Sequence, residues 1–299
     1  MSEKEVKYIE YIKNKFPQLD ISNVKFNLSD GKHKDIVIIN DESAFKFARY
    51  DWTVGFLENE AKTINFISQY IDTHLPRIEY LDHGIAKCEF IQGTPLFRNE
   101  ILLWKDNDQN YMAKQIGNFL KQLHAIPVKK AKTNGIGEIS VDLSREAFLS
   151  EYDDIKRKVY PYFNSYVKES IEQIFAPMLE NKDFLKFSPA LIHGDLIPPH
   201  LICDRSLKKI NAVIGFGSAG IGDPAYDVGI LLDSLGETFV KRVSRYYGDM
   251  ANLIDRARFY AYFNHLSWAK KTADMITTRD FTNFQFNLQA SDIMPIGCK

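Results

Sequence analysis

His193-Gly194-Asp195 and, five residues after the aspartate, His200 lie in a short polar loop between two apolar runs, Leu191-Ile192 and Leu201-Ile202-Cys203. A further apolar run, Ile210-Asn211-Ala212-Val213-Ile214, leads back and ends in Gly215-Phe216-Gly217. This is how a phosphoryl-transfer site is laid out. A loop aspartate receives the proton of the acceptor hydroxyl, a side chain five residues later helps hold metal, and a carboxylate just before Phe-Gly holds the metal that bridges the phosphates. Asp195 is thus a candidate base and His200 a candidate ligand. Gly215 stands where the last carboxylate should be and has no side chain to ligate anything. Magnesium-type cations want oxygen ligands, and His200 offers nitrogen. Loss of such a ligand costs on the order of a thousandfold in rate. Activity is therefore expected to be severely reduced unless another carboxylate serves. Asp204 and Asp223 are the nearest in sequence, Asp204 being suited to a hairpin turn.

Other elements must position this loop. Residues 4–16 carry Val6, Ile9, Ile12 and Phe16 at helical spacing, and Pro17 ends that helix. Strands are expected at 24–28 and 36–39, joined by a polar hairpin with Gly31 as its one glycine. Residues 44–48 alternate, with Phe45 and Phe47 on one face and Lys46 on the other between two alanines, open to a ligand. A helix over about 56–71 follows, with Leu57, Ala61, Ile64, Ile67 and Ile71 as its apolar stripe. Glu60 lies on or beside that stripe, where a carboxylate needs a partner, and Lys46 is the natural one. Glu58 falls on the far side of the helix and should face water. A strand over 84–91 runs up to Gly93. Met112, Ile116, Phe119, Leu120 and Leu123 form a helix ending at His124, which is expected to cap or pack. Further helices are expected over 144–187. In Gly222-Asp223-Pro224-Ala225-Tyr226-Asp227, Asp223 is placed to cap the helix after Pro224. Two or three more helices follow, with Trp268 on one of them.

This ordered set resembles the aminoglycoside phosphotransferase family, which includes macrolide and choline kinase-like enzymes and shares the protein-kinase fold. The family pattern is His-x-Asp, four residues, Asn or His, a hairpin, then Ile-Asp-Phe-Gly or Ile-Asp-Trp. His193, Asp195, His200 and Phe216-Gly217 match it, and Gly215 departs from it. Histidine at 200 resembles the gentamicin 2″-phosphotransferase and macrolide phosphotransferase branches. The resemblance implies an α+β, two-lobed protein-kinase-like fold. Residues 1–92 would form a small antiparallel-sheet, nucleotide-binding lobe including the hinge. Residues 93–299 would form a mainly helical lobe with the catalytic hairpin and the acceptor site. ATP or GTP and Mg²⁺ are the implied cofactors. Asp195 and His193 would serve catalysis, and Lys46, paired with Glu60, would anchor phosphate. Gly31 would lie in the loop over the phosphates, and the backbone of Glu89, Phe90 and Ile91 would bind the purine. His200 and Asp195 would face the metal, and Asp227 would brace His193 and the loop backbone. On the acceptor side, Asp233 and Glu237 are candidate acids for a polycationic aminoglycoside, with Trp268 as an aromatic contact. Lys270 and Lys271 argue mildly against a strongly acidic pocket.

The bulk numbers fit and exclude. The chain has 299 residues, enough for two lobes with a sizeable core, at 45% apolar and 26% charged. A net charge of −1 is no footprint for nucleic acid or an anionic membrane. Cys88, Cys203 and Cys298 are widely spaced and in no metal pattern, as free thiols of a reducing compartment would be. No apolar run approaches the roughly 20 residues of a membrane span, and residues 1–15 show no signal peptide. A cytoplasmic monomer is expected. Two other readings stay open: a catalytically impaired nucleotide-binding pseudokinase, favoured by Gly215, and a small-metabolite alcohol kinase of choline, homoserine or ketosamine type.

Overall fold

The computed structural model describes residues 1–28, 33–274 and 292–298. Gly31 lies outside them, as does the side chain of Trp268. The chain forms two compact units, Met1–Thr94 with Leu201–Ser218, and Pro95–His200 with Ala219–Lys299. The hairpin 201–218 thus groups with the N-terminal segment and not with the helical one, where the sequence had placed it.

In the first unit, α1 (Glu3–Lys15) starts at a capping box in which Ser2 and Glu5 satisfy each other's backbone N–H groups. An antiparallel sheet follows, with β1 (Val24–Asn27), β2 (Lys34–Ile39), β3 (Ser43–Ala48), β4 (Ile78–Asp82) and β5 (Ile85–Glu89) in the order β1-β2-β3-β5-β4. Val37, Ile39, Phe45 and Phe47 line one face and bury against Ile12 of α1, with Tyr8 stacked on Phe47. The opposite face carries Lys46. The helix after β3, α2, spans Asp51–Ile67, starting and ending earlier than the expected 56–71. Its first turn is set by the Thr53 hydroxyl, which accepts from Tyr50 N–H and donates to the Tyr50 carbonyl, a polar closure that no apolar stripe announces. Ile71 is buried beyond the helix end, and Glu58 is exposed. In the hairpin Leu201–Asp204/Lys209–Val213, Asp204 accepts from the amides of Ser206 and Leu207 and so belongs to the turn.

The second unit is mainly helical, with helices Asp106–His124, Arg145–Lys158, Ser165–Glu180, Pro224–Leu235, Glu237–Tyr247 and Ile254–Asp274. The short strands Ala190–Ile192 and Gly220–Gly222 pair antiparallel and hold the loop that starts at His193. Pro224–Leu235 packs closely on Ile254–Asp274, because Gly229 leaves no side chain between them. A Cβ there would stand 2.9 Å from the Ala257 carbonyl oxygen. Among the described residues no helix is long and apolar enough to cross a membrane.

Candidate active site

Asp227, in the first turn of Pro224–Leu235, is fully buried and holds the loop of the second unit by its backbone. Its carboxylate accepts from His193 N–H and Gly194 N–H, each at 2.8 Å, and from His124 Nε2–H at 3.1 Å. Gly194 bends the chain there with φ +75°, a conformation glycine adopts without strain. His124 Nδ1 lies 2.9 Å from the Tyr247 hydroxyl, so this helix-end histidine clamps Asp227 and does not face a ligand. Burial alone would lift the Asp227 carboxyl, but the hydrogen bond and charge of His124, with His193, hold it below the usual carboxylate range. Within the loop, Asp195 N–H donates to His193 Nδ1 at 3.2 Å, and His200 Nδ1–H donates to the Asp195 carbonyl at 2.6 Å. Asp227 and the His193 ring thus both hydrogen-bond to the loop backbone, whereas the Asp195 side chain is 45% exposed.

That carboxylate opens on a cavity of about 150 Å³ walled by Tyr226, Ile230, Asp233, Tyr260 and Asn264. This is less than the roughly 300–1,000 Å³ of pockets that engulf a drug-sized ligand, so it admits one ring of an acceptor rather than the whole. Asp233 is fixed by His265 Nε2 at 2.6 Å and by the Asn264 amide. Asp223 caps the helix through Ala225 N–H at 2.9 Å, and its buried carboxylate also meets Arg256 Nε at 2.7 Å and the Tyr260 hydroxyl at 3.0 Å.

In the first unit, Lys46 Nζ lies 2.8 Å from Glu60 Oε1, and Lys34 Nζ lies 3.3 Å from Glu60 Oε2. Lys46, expected to be open to a ligand, is 6% exposed with Glu60 against it. Burial opposes charge on Glu60, but the two lysines hold its carboxyl far below the usual range. Gly215 N–H donates to the same Oε1 at 3.3 Å, with φ +88°. Asn59 ties the Gly217 carbonyl at 3.0 Å, and Phe216 is fully buried. Of the expected linker, Glu89 N–H donates to the Arg77 carbonyl and Phe90 N–H to the Glu42 carbonyl, both at 2.9 Å, while the Glu89 side chain pairs with His74 and Arg77. Ile91 is the linker residue whose amide makes neither bond.

The phosphotransferase enzyme family matches this chain over residues 19–262, a span that takes in Lys46, Glu60, the 193–200 loop and Asp227. The chain belongs to that family. Among curated relatives, the uncharacterized protein YcbJ of Bacillus subtilis (strain 168) is 21% identical over 195 residues, 63% of this chain and 61% of that one. Streptomycin 3″-kinase of Streptomyces griseus is 21% identical over 166 residues, 51% of this chain and 59% of that one. The chain thus spans about three-fifths of the length of each. The GDP complex of wild-type aminoglycoside 2′-phosphotransferase-IIIa superposes with a TM-score of 0.83 at 22% identity, covering 96% of this chain and 98% of that one. Macrolide 2′-phosphotransferase type I does so with a TM-score of 0.70 at 15% identity, covering 100% and 99%. At these identities the likeness is one of fold. It is the two-lobed kinase-like fold of phosphotransferases, with an antiparallel-sheet unit and a helical one.

In this member of the family the expected acids of residues 231–237 part company. Asp233 reaches the cavity with Asp195, whereas Glu237 does not. Glu237 is 2% exposed and bound by the Arg258 guanidinium, with Met294 N–H donating to it at 2.7 Å. Gly236, at φ +83°, ends one helix and turns the chain, so Glu237 begins the next and faces the protein interior. Glu237→Ala leaves the buried Arg258 guanidinium with only Asp255 and the Cys298 carbonyl as partners and is expected to cost about 2–4 kcal/mol of unfolding free energy by chemical denaturation. A raised acceptor KM at unchanged stability would return Glu237 to the acceptor site. Lys270 is engaged by Glu151 and is no counter-argument to an acidic pocket. The sequence did not bring Lys34 to Glu60 or His124 to Asp227. Nothing in the sequence marks the contact of His124 with Asp227, and that of Lys34 with Glu60 depends on the β2–β3 register.

Proposed function

We propose that this phosphotransferase moves the γ-phosphate of ATP or GTP to a hydroxyl of a small, polyhydroxylated and cationic molecule of aminoglycoside type. The observation that carries the reading is the Asp195 carboxylate, held half-exposed by a backbone-braced loop at a ring-sized cavity that also contains Asp233. In the step, the acceptor oxygen bonds to the γ-phosphorus as the bond to the β-bridging oxygen breaks. The nucleoside diphosphate leaves, and the hydroxyl proton passes to Asp195. Lys46, held by Glu60, anchors the phosphates. Asp233, in the same cavity wall as Asp195, favours a cationic acceptor over an apolar one. The streptomycin kinase relative and the aminoglycoside phosphotransferase folds support the same substrate class. A triphosphate donor implies a cytoplasmic setting.

The residues present do not fit a protein-held magnesium ion. His200 commits Nδ1–H to the Asp195 carbonyl and has only a nitrogen lone pair left, Gly215 supplies no side-chain oxygen, and among the described residues no three His, Cys, Asp or Glu side chains cluster as a metal site. Gly215 therefore favours, as a second reading, a protein that binds nucleotide without transferring phosphate. The two are separated by incubating the protein with ATP or GTP and a panel of streptomycin, kanamycin and gentamicin, following acceptor mass and nucleoside diphosphate release. A phosphorylated acceptor is expected. Nucleotide binding with no product from any acceptor would establish the second reading instead.

A further inference from the structure

Glu60 is a single buried carboxylate shared by two lysines, one on each oxygen. One negative and two positive charges leave a surplus cation among the described residues. Burial, with the neighbouring Lys46 ammonium, holds Lys34 below the usual lysine range while Glu60 pulls it back.

The strand register says where that charge points. Ile36 is the cross-strand partner of Lys46, and Lys34 lies two residues back on β2, so Lys34, Ile36 and Lys46 share one face of the sheet. Ile36 and Ile38 stay half-exposed there. The opposite face is closed by α1. A half-exposed apolar step beside a surplus cation suits a flat base followed by phosphates. The Lys34 side chain is 28% exposed and that of Lys46 8%, so Lys34 is the more accessible of the two to an anion.

We infer that Lys34 is a second phosphate-binding cation, and that with Lys46 it holds the nucleotide polyphosphate without a divalent ion. A positive charge at 34 stands in for the metal charge that a carboxylate at 215 would have held. The inference rests on the reading that this chain binds a nucleoside triphosphate. Calorimetric titration with ATP and with GTP, each in magnesium and in EDTA and with no acceptor present, tests it. Wild type is expected to bind in EDTA. Lys34→Gln should lose roughly tenfold to a hundredfold in that affinity, as expected for a lost charge-assisted hydrogen bond. Lys34→Arg, which keeps the charge, should retain it. Wild-type binding that vanishes in EDTA but persists in magnesium, or Lys34→Gln binding as wild type does, would overturn the inference and leave the proposed function standing. No binding under either condition would overturn both.

Discussion

Asp195→Asn is expected to lower turnover about 10²- to 10⁴-fold, the range that a positioned general base contributes. Nucleotide affinity should be unchanged. The substitution disturbs the loop little because the loop is held chiefly through its backbone. Asp227 takes the His193 and Gly194 amides, and the Asp195 main chain makes the close hydrogen bonds to His193 and His200, its carboxylate lying 3.6 Å from His200 Nδ1. Asparagine keeps the shape and removes only the proton acceptor. The lysines that would grip phosphate belong to the other unit. Steady-state kinetics with the best acceptor, paired with calorimetric titration of nucleotide, reads both halves. Unchanged turnover would remove Asp195 from the role of base. Asp227→Asn makes the contrast. It disturbs a buried group that orients the loop, so it should lower the melting temperature as well as the rate.

The parts legible in the sequence were those fixed by local chemistry. The spacing His193, Asp195, His200 and the Asp223-Pro224 cap are properties of short segments, and the stripe of α2 brought Glu60 inward toward a lysine one strand away. What stayed hidden depended on partners far along the chain. Glu237 and Asp233 are four residues apart and read alike. Arg258, twenty-one residues beyond Glu237, makes one of them structural, while His265 and Asn264 fix the other beside a cavity. Lys34 read as part of a polar turn because its meaning depends on the β2–β3 register, which puts it over the same carboxylate as Lys46. The hairpin 201–218 follows the catalytic loop directly in sequence, yet its Asn211 amide bonds the Gln92 carbonyl at 2.8 Å and its Val213 N–H the His74 carbonyl at 3.3 Å. It is therefore built into the first unit.

Gly215→Asp is expected to make nucleotide binding magnesium-dependent and to raise turnover in magnesium by about 10²- to 10³-fold, the scale of one well-placed electrostatic stabiliser. The backbone can accept the change. At φ +88° a side chain is disfavoured, but aspartate is among the non-glycine residues that visit positive φ, at a cost of roughly 1–2 kcal/mol. The charges also allow it. Gly215 N–H already donates to Glu60, which is flanked by two lysines, so an added carboxylate enters a neighbourhood with a surplus cation. That balance makes the result depend on conditions. In EDTA the introduced carboxylate should neutralise the lysine pair and repel phosphate, weakening binding relative to wild type. In magnesium it should hold an ion that attracts phosphate and strengthen binding. The two dissociation constants therefore move in opposite senses, so that their EDTA-to-magnesium ratio rises from its wild-type value, a signature that a general loss of stability cannot produce. An unchanged ratio would mean that the site is not completed by a carboxylate at this position. Gly215 would then be retained for its backbone angle and its hydrogen bond to Glu60, with the lysine pair carrying the phosphate charge alone.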